Sequence, residues 1–277
     1  MFVRRLEDLA GTDKVMVKTD GEKRLQSGRL LTKSDGCGFS LSDVRVSAGW
    51  TIDLWYKNHV EGNLVVSGAM EVTDLTNGAS WELEGGDLYV VGPKDRHRIT
   101  AKEDSQIVSI FNPPVEGNER HDADGSFPPT GDIPSAWEGD SGRSMFIKRL
   151  AETRVVGISY GRTKAYRYLT QDDECGFTMS TPRSPAGKGI VLWYQNHVEA
   201  NYILEGEGSV EDLTTGEKWD LAPGSMYVVG PKDRHQTQTS TGFYLLSVFN
   251  PPLVGGETHD DQGGYPPSGP IPEAWRP

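Results

Sequence analysis

His59 and Glu61 stand two residues apart in Trp55-Tyr56-Lys57-Asn58-His59-Val60-Glu61, and the string returns 138 positions later as Trp193-Tyr194-Gln195-Asn196-His197-Val198-Glu199. In an extended strand, residues i and i+2 project from one face. Each copy therefore aims an imidazole and a carboxylate into the same space. Tyr89 and His97 flank a Gly92-Pro93-Lys94-Asp95 turn, repeated around Tyr227 and His235. A hairpin of that length makes Tyr89 and His97 cross-strand neighbours. If it lies opposite the His59/Glu61 strand, Glu61, Tyr89 and His97 converge. A carboxylate oxygen, an imidazole nitrogen and a phenol oxygen suit a divalent transition metal with open positions. Such an ion polarises a carbonyl or lowers the pKa of a bound group. Residue types alone leave open the plainer alternative, in which His97 caps the hairpin and Tyr89 only packs. A further cluster, Glu119 with His121 and Glu257 with His259, lies in Pro- and Gly-rich sequence beyond Phe-Asn-Pro-Pro. That is either a binding loop or an exposed acidic tail.

The elements that must position these groups follow from the repeat. Leu88-Tyr-Val-Val-Gly-Pro-Lys-Asp-Arg-His97 matches Met226 to His235, and Ile133-Pro-Ser-Ala-Trp137 matches Ile271 to Trp275, both at the 138 offset. Met1-Phe-Val-Arg-Arg-Leu6 matches Met145 to Leu150 at an offset of 144, so the second copy has lost a net six residues before Cys175. Two domains are expected, 1–138 and 145–277, joined by the polar Glu138-Gly-Asp-Ser-Gly-Arg143. Within a copy, strand candidates run over 41–46, 51–56, 62–67, 70–75, 80–83, 88–91, 97–101 and 106–111, with Gly, Asn, Asp or Pro between them. No segment holds a 3.6-residue apolar period. The fold class is all-β, each copy a small double-sheet jelly-roll barrel. The tryptophans Trp55, Trp81, Trp137, Trp193, Trp219 and Trp275 read as packing anchors. Cys37 and Cys175 read as free, semi-buried thiols.

A formal charge of −12 argues against nucleic acid and against an anionic membrane surface. It suits a salt-rich cytoplasm, although solubility alone accounts for it. Neither a signal-peptide core nor a spanning apolar run is present in the sequence, so a cytoplasmic location is expected.

Glu61 is followed after six residues by Gly68, and Glu199 by Gly206; Gly86-x2-Tyr89 and Gly224-x2-Tyr227 supply a second motif. Together these resemble the two cupin motifs, with Tyr in place of a histidine and without the usual His-x-His pair. Within the cupins the chain is similar to the ectoine synthase family. The likeness rests on Tyr-Lys-Asn-His-x-Glu, on Gly206-Glu-Gly-Ser-Val-Glu-Asp-Leu-Thr-Thr-Gly-Glu-Lys218 and on Phe249-Asn-Pro-Pro-Leu-Val-Gly-Gly-Glu-Thr-His-Asp260. The resemblance implies a tandem fusion of two cupin (double-stranded β-helix) barrels and a cyclising hydro-lyase. Its substrate would be N-γ-acetyl-2,4-diaminobutyrate or a related N-acyl diamino acid. It implies Fe(II), with Zn(II) as the alternative, on Glu61, Tyr89 and His97 and on Glu199, Tyr227 and His235. Catalytic roles fall on Tyr56, His59 and Tyr89 and on Tyr194, His197 and Tyr227. His59 and His197 thereby move from co-ligands to substrate-side groups. Substrate contacts fall on Arg29, Phe111, Glu119 and His121, and on Arg167, Phe249, Glu257 and His259. The family's pocket tryptophan falls near Leu25 and Thr163, and a threonine near Val44 and Pro182, so part of the substrate wall is changed. An iron-dependent bicupin oxygenase and a non-catalytic small-molecule binder are the competing functions. The two modules are expected to form an intramolecular pseudo-dimer, with higher oligomers open.

Overall fold

Apolar runs this short, broken by turn residues, bury themselves only as strands of a closed two-sheet shell, and the computed structural model is built that way. It describes residues 1–140 and 142–277. The first copy runs β1 (Phe2–Arg5), β2 (Val15–Asp20), β3 (Lys23–Leu31), β4 (Ser40–Val46), β5 (Thr51–Leu54), β6 (Val60–Ser67), β7 (Ala69–Asp74), β8 (Ser80–Glu84), β9 (Leu88–Val91), β10 (His97–Ala101) and β11 (Ser105–Asn112). The second runs β12 (Phe146–Lys148), β13 (Arg154–Ile158), β14 (Thr163–Leu169), β15 (Thr178–Ser184), β16 (Gly187–Leu192), β17 (Val198–Glu205), β18 (Gly208–Asp212), β19 (Lys218–Leu221), β20 (Ser225–Val229), β21 (His235–Thr239) and β22 (Phe243–Asn250). Helix among the described residues is confined to three-residue 3-10 turns, none long and apolar enough to cross a membrane.

The chain divides into two compact units, residues 9–152 and residues 1–8 with 153–277. The first holds a sheet in the order β12-β9-β6-β11-β4-β3-β2 and a second in the order β5-β10-β7-β8. The other holds β1-β20-β17-β22-β15-β14-β13 and β16-β21-β18-β19. The units are thus not the two written repeats, because each copy's opening strand is spent in the other unit. Ile147 of β12 stands opposite Tyr89, and Val3 of β1 opposite Tyr227. Without these additions β9 and β20 would be sheet edges with unpaired backbone groups beside the two tyrosines.

The expected hairpin between Tyr89 and His97 does not form. β9 pairs with β6 and β12, whereas β10 pairs with β5 and β7 in the other sheet. The Gly92–Arg96 turn is a corner between sheets. Asp95 fastens it by accepting the Gly92 N–H at 2.7 Å. Strands β2 and β3 also lie outside the set expected from the sequence. Their outer positions carry Lys18, Asp20, Lys23 and Arg24, which hides the alternation that marks a half-buried strand. The six-residue deficit is now located. Lys18 faces Leu25 and Ile158 faces Thr163 across equivalent hairpins, so two residues are lost there and the other four in the connection before it.

Gly92 has no Cβ because one would stand 2.3 Å from the ring of Trp137, which is 0% exposed. Trp275 covers Gly230 in the same way, a Cβ there meeting the ring at 2.4 Å. Both cysteines are buried outside any disulfide, their thiols donating to the Asp35 and Asp173 carbonyls at 3.7 and 3.5 Å. Trp137→Ala empties a filled site over the corner that leads to His97. Denaturant titration should show a loss of about 3–5 kcal/mol; a loss under about 1 kcal/mol would remove Trp137 from the core.

Candidate active site

Each barrel encloses a cavity, about 530 Å³ in the first unit and about 800 Å³ in the second with their mouths included. The register of the large sheets explains what lines it. Glu61 on β6 lies opposite Phe111 of β11, and Asn63, two residues on, lies between Tyr89 and Ser109. Glu199, Phe249, Asn201, Tyr227 and Ser247 repeat this layout. These residues, with Tyr56, Arg29 and His121 or Tyr194, Arg167 and His259, form the cavity wall.

Glu61 is buried, and burial pushes its carboxyl up to about 7 in spite of hydrogen bonding to Asn63 and Ser109; Glu199 is also pushed to about 7. One oxygen of each carboxylate has no partner. His97 is fully buried, with its ring centroid 6.3 Å from those of Tyr89 and Tyr56. Its Nδ1–H donates to the Asp95 carbonyl at 3.0 Å, which leaves the buried Nε2 without a partner, although the ring is not itself part of the cavity wall. His235 does the same through Asp233 at 3.2 Å. Burial holds both imidazoles below their ordinary pKa and hence neutral. Tyr89 and Tyr227 have their phenols pushed well up by burial and then by the neighbouring Glu61 or Glu199 charge. A buried carboxylate with one unpartnered oxygen, and an imidazole whose backbone bond fixes the free nitrogen, are what a divalent cation completes. The donor set fits one. Among the described residues no three His, Cys, Asp or Glu side chains cluster, so such a site would draw its third donor from a tyrosine.

Opposite lies a tyrosine–histidine pair. Tyr56 Oη is 3.0 Å from His121 Nε2, and Lys18 Nζ is 2.7 Å from His121 Nδ1. An ammonium can only donate, so Nδ1 accepts and the ring proton sits on Nε2, bonded to the Tyr56 oxygen. In the second unit the donor is different, the Ser159 backbone N–H at 3.2 Å from His259 Nδ1, and the outcome is the same at Tyr194. In both cavities the tyrosine oxygen accepts from histidine and its own proton is free. Burial and the Lys18 and Arg29 charges hold His121 down to about 3, and burial with Arg167 holds His259 to about 4, so neither ring charges near neutrality.

His59 and His197 do not line the cavities. They sit behind Phe111 and Phe249 with rings at 88° and 90°, each donating or accepting through Nε2 at Thr130 or Ser268. Glu119 and Glu257 also turn away. Glu119 accepts the backbone N–H groups of Glu116 and Gly117, and Glu257 those of Val254 and Gly255, so each closes its own loop. Arg29 lines the cavity while donating to the Gly117 and Glu119 carbonyls, both at 2.9 Å. Arg167 donates instead to Ser180 and to Tyr265 Oη, and its Nε has no partner.

Sequence reasoning missed the supporting groups. Asn63 and Ser109 orient Glu61, and Phe127 stacks on His121 at 4.6 Å and 6°. Lys18 sets the His121 tautomer. The 138 offset marks Asn63 and Ser109 and returns Phe127 as Tyr265, but nothing in the sequence singles out Lys18. Because the two donor sets are alike, His97→Gln should halve stoichiometric divalent-metal binding, and adding His235→Gln should abolish it. Metal analysis of the purified chain checks this; full retention in the double variant would exclude these imidazoles as ligands.

Known proteins resemble the chain in two ways. The family model described as ectoine synthase matches residues 1–131 and again 147–269. The L-ectoine synthase of Oceanobacillus iheyensis is 45% identical over 124 residues, which is 44% of this chain and 97% of that protein. That of Shouchella clausii is 40% identical over 128 residues, 46% of this chain and 92% of the relative. Among solved structures, an oxalate decarboxylase–formate complex from Lactobacillus farciminis superposes with a TM-score of 0.64 at 13% identity, covering 92% of this chain and 87% of that one. Hazelnut vicilin gives 0.64 at 14% identity, covering 91% and 86%. Identities that low speak for the two-barrel fold alone. Matched once along each of its halves, with the carboxylate, tyrosine and histidine positions repeated in both, the chain belongs to the ectoine synthase family.

Proposed function

We propose that the protein is an ectoine-synthase-like hydro-lyase that closes a ring within an N-acyl diamino acid, N-γ-acetyl-2,4-diaminobutyrate being the reference substrate, with iron(II) as its metal and zinc as the alternative. One observation carries the reading. Both cavities pair a buried, half-partnered carboxylate and a free imidazole nitrogen with a tyrosine whose proton is available.

In the reaction the α-amine nitrogen forms a C–N bond to the amide carbonyl carbon and the C–O bond breaks. The oxygen leaves as water with the two protons the amine gives up, and a cyclic amidine remains. Glu61, Tyr89 and His97, and Glu199, Tyr227 and His235, would hold the cation. A bound divalent cation supplies Lewis acidity at the carbonyl oxygen. Tyr56 and Tyr194 relay one of those two protons, giving their own to the departing oxygen and recovering one from the amine, while the His121 and His259 Nε2–H bonds steady the transient phenolate. Arg29 and Arg167 lend positive charge to a substrate carboxylate. Phe111 with Phe127, and Phe249 with Tyr265, pack against those tyrosines at 5.1–5.4 Å and exclude water, which would otherwise reverse a dehydration. Holding amine and carbonyl together supplies much of the acceleration. His59, Glu61, His97, Glu119 and His121 recur as His197, Glu199, His235, Glu257 and His259, so both sites are assigned the reaction type.

Purified protein kept anaerobic with iron(II) should form the cyclic product from N-γ-acetyl-2,4-diaminobutyrate. Tyr56→Phe combined with Tyr194→Phe should lower kcat by about 10²-fold. Oxygen uptake coupled to substrate loss would replace this reading with an oxygenase. Binding without product in the metal-loaded protein would leave a binding module.

A further inference from the structure

The cavities share one end and differ at the other. β10 continues from His97 through Ile99 to Ala101, and β21 from His235 through Thr237 to Thr239, each triplet on one strand face. The same contrast recurs on the neighbouring strands. Leu25 and Val46 of the first unit correspond to Thr163 and Ser184 of the second, and Trp50 falls on Lys188 by the 138 offset, although a bulge in β16 sets Gly187 opposite Thr239. In the first unit all five apolar residues belong to one packed core, and Trp50 is only 7% exposed. In the second unit Thr163, Ser184, Lys188, Thr237 and Thr239 all line the cavity, which is correspondingly the larger.

Arg162 joins them. It stands in the hairpin shortened by two residues, and its guanidinium lies 4.0 Å from where a Gly187 Cβ would be. Arg162 and Lys188 are exposed cations. Glu199 is the sole carboxylate lining that cavity, and it belongs to the opposite, metal-binding end. The extension therefore offers the hydroxyls of Thr163, Ser184 and Thr237 and two positive charges to whatever enters it, the Thr239 hydroxyl being engaged with the Glu207 carbonyl. From His235 to Thr239 the strand covers roughly 13 Å, a gap that a lysine side chain and a six-carbon diacid span together.

We propose that the C-terminal cavity takes an N-acyl diamino acid whose acyl chain is longer and ends in a carboxylate, whereas the N-terminal cavity, filled by Trp50 and its neighbours, takes only the short acyl form. This rests on the reading that the acyl carbonyl sits beside Glu199, Tyr227 and His235. The carboxylate would be met by Arg162 and Lys188, and the chain would run along the Thr237–Thr239 face. The two sites of one chain then differ in substrate length and share a reaction.

The probes are the N-γ-acetyl, N-γ-hexanoyl and N-γ-adipoyl derivatives of 2,4-diaminobutyrate, titrated calorimetrically into the full chain and assayed for cyclic product. The adipoyl compound should bind once per chain, at least about tenfold more tightly than the equally long, uncharged hexanoyl compound, the scale of one charge-assisted contact. Arg162→Ala with Lys188→Ala should erase that preference; both positions are exposed, and the fold of the double variant is checked by circular dichroism. Equal binding of the two long compounds, two adipoyl sites per chain, or a preference that survives the double variant would overturn the proposal. Product from the acetyl compound without adipoyl binding would overturn it while leaving the lyase reading intact. Charge-dependent adipoyl binding without product from any probe would sustain the extended site and overturn the lyase reading. Absence of binding by all three would overturn both.

Discussion

The structure depends on a carboxylate that has been taken out of water. Glu61 and Glu199 are each buried in a barrel interior, one oxygen unpartnered, with a carboxyl pushed up to about 7. Moving a carboxyl from its ordinary value to about 7 corresponds to about 3 kcal/mol against the charged form. A raised pKa means that this cost is absent in acid and grows as pH rises toward 7. A fold that accepts such a cost twice places an incoming positive charge where it gains most. Around each carboxylate the structure is correspondingly rigid. Asn63 and Ser109 fix its plane, and the Asp95 carbonyl fixes the histidine tautomer.

That rigidity is secured by topology more than by local contacts. Tyr89 lies on a strand that would be a sheet edge, and the sheet is completed there by β12, which is the opening strand of the second copy. β1 completes the sheet beside Tyr227 in the same manner. Each unit therefore needs a strand written in the other half of the chain. The Gly92 corner, covered by Trp137, then swings His97 into the opposite sheet while keeping it beside Tyr89.

Duplication freed the two copies to change in different places. The carboxylate, tyrosine and histidine end is unchanged, because each group there depends on neighbours that would have to change with it. The far ends diverged, apolar and packed in one unit, hydroxylic and open in the other. Even the conserved histidine tautomer is obtained by different means, an ammonium in one unit and a backbone amide in the other.

Much of this was written in the sequence. The 138-residue repeat, the period-two spacing of His59 and Glu61, and the punctuation by Gly and Pro determined an all-β, twice-built molecule with its strands in nearly the observed places. Strand periodicity is local, and it is legible wherever one face is apolar. Other features were decided only in three dimensions. Strand partners are chosen by burial of long-range edges, so the Tyr89–His97 hairpin gave way to a corner and the opening strands changed units. Side-chain direction is chosen by available partners, so Glu119 turned to its own loop and His59 to Thr130, although spacing alone aimed His59 with Glu61. Lys18 reached His121 across 103 residues, a distance no local pattern encodes.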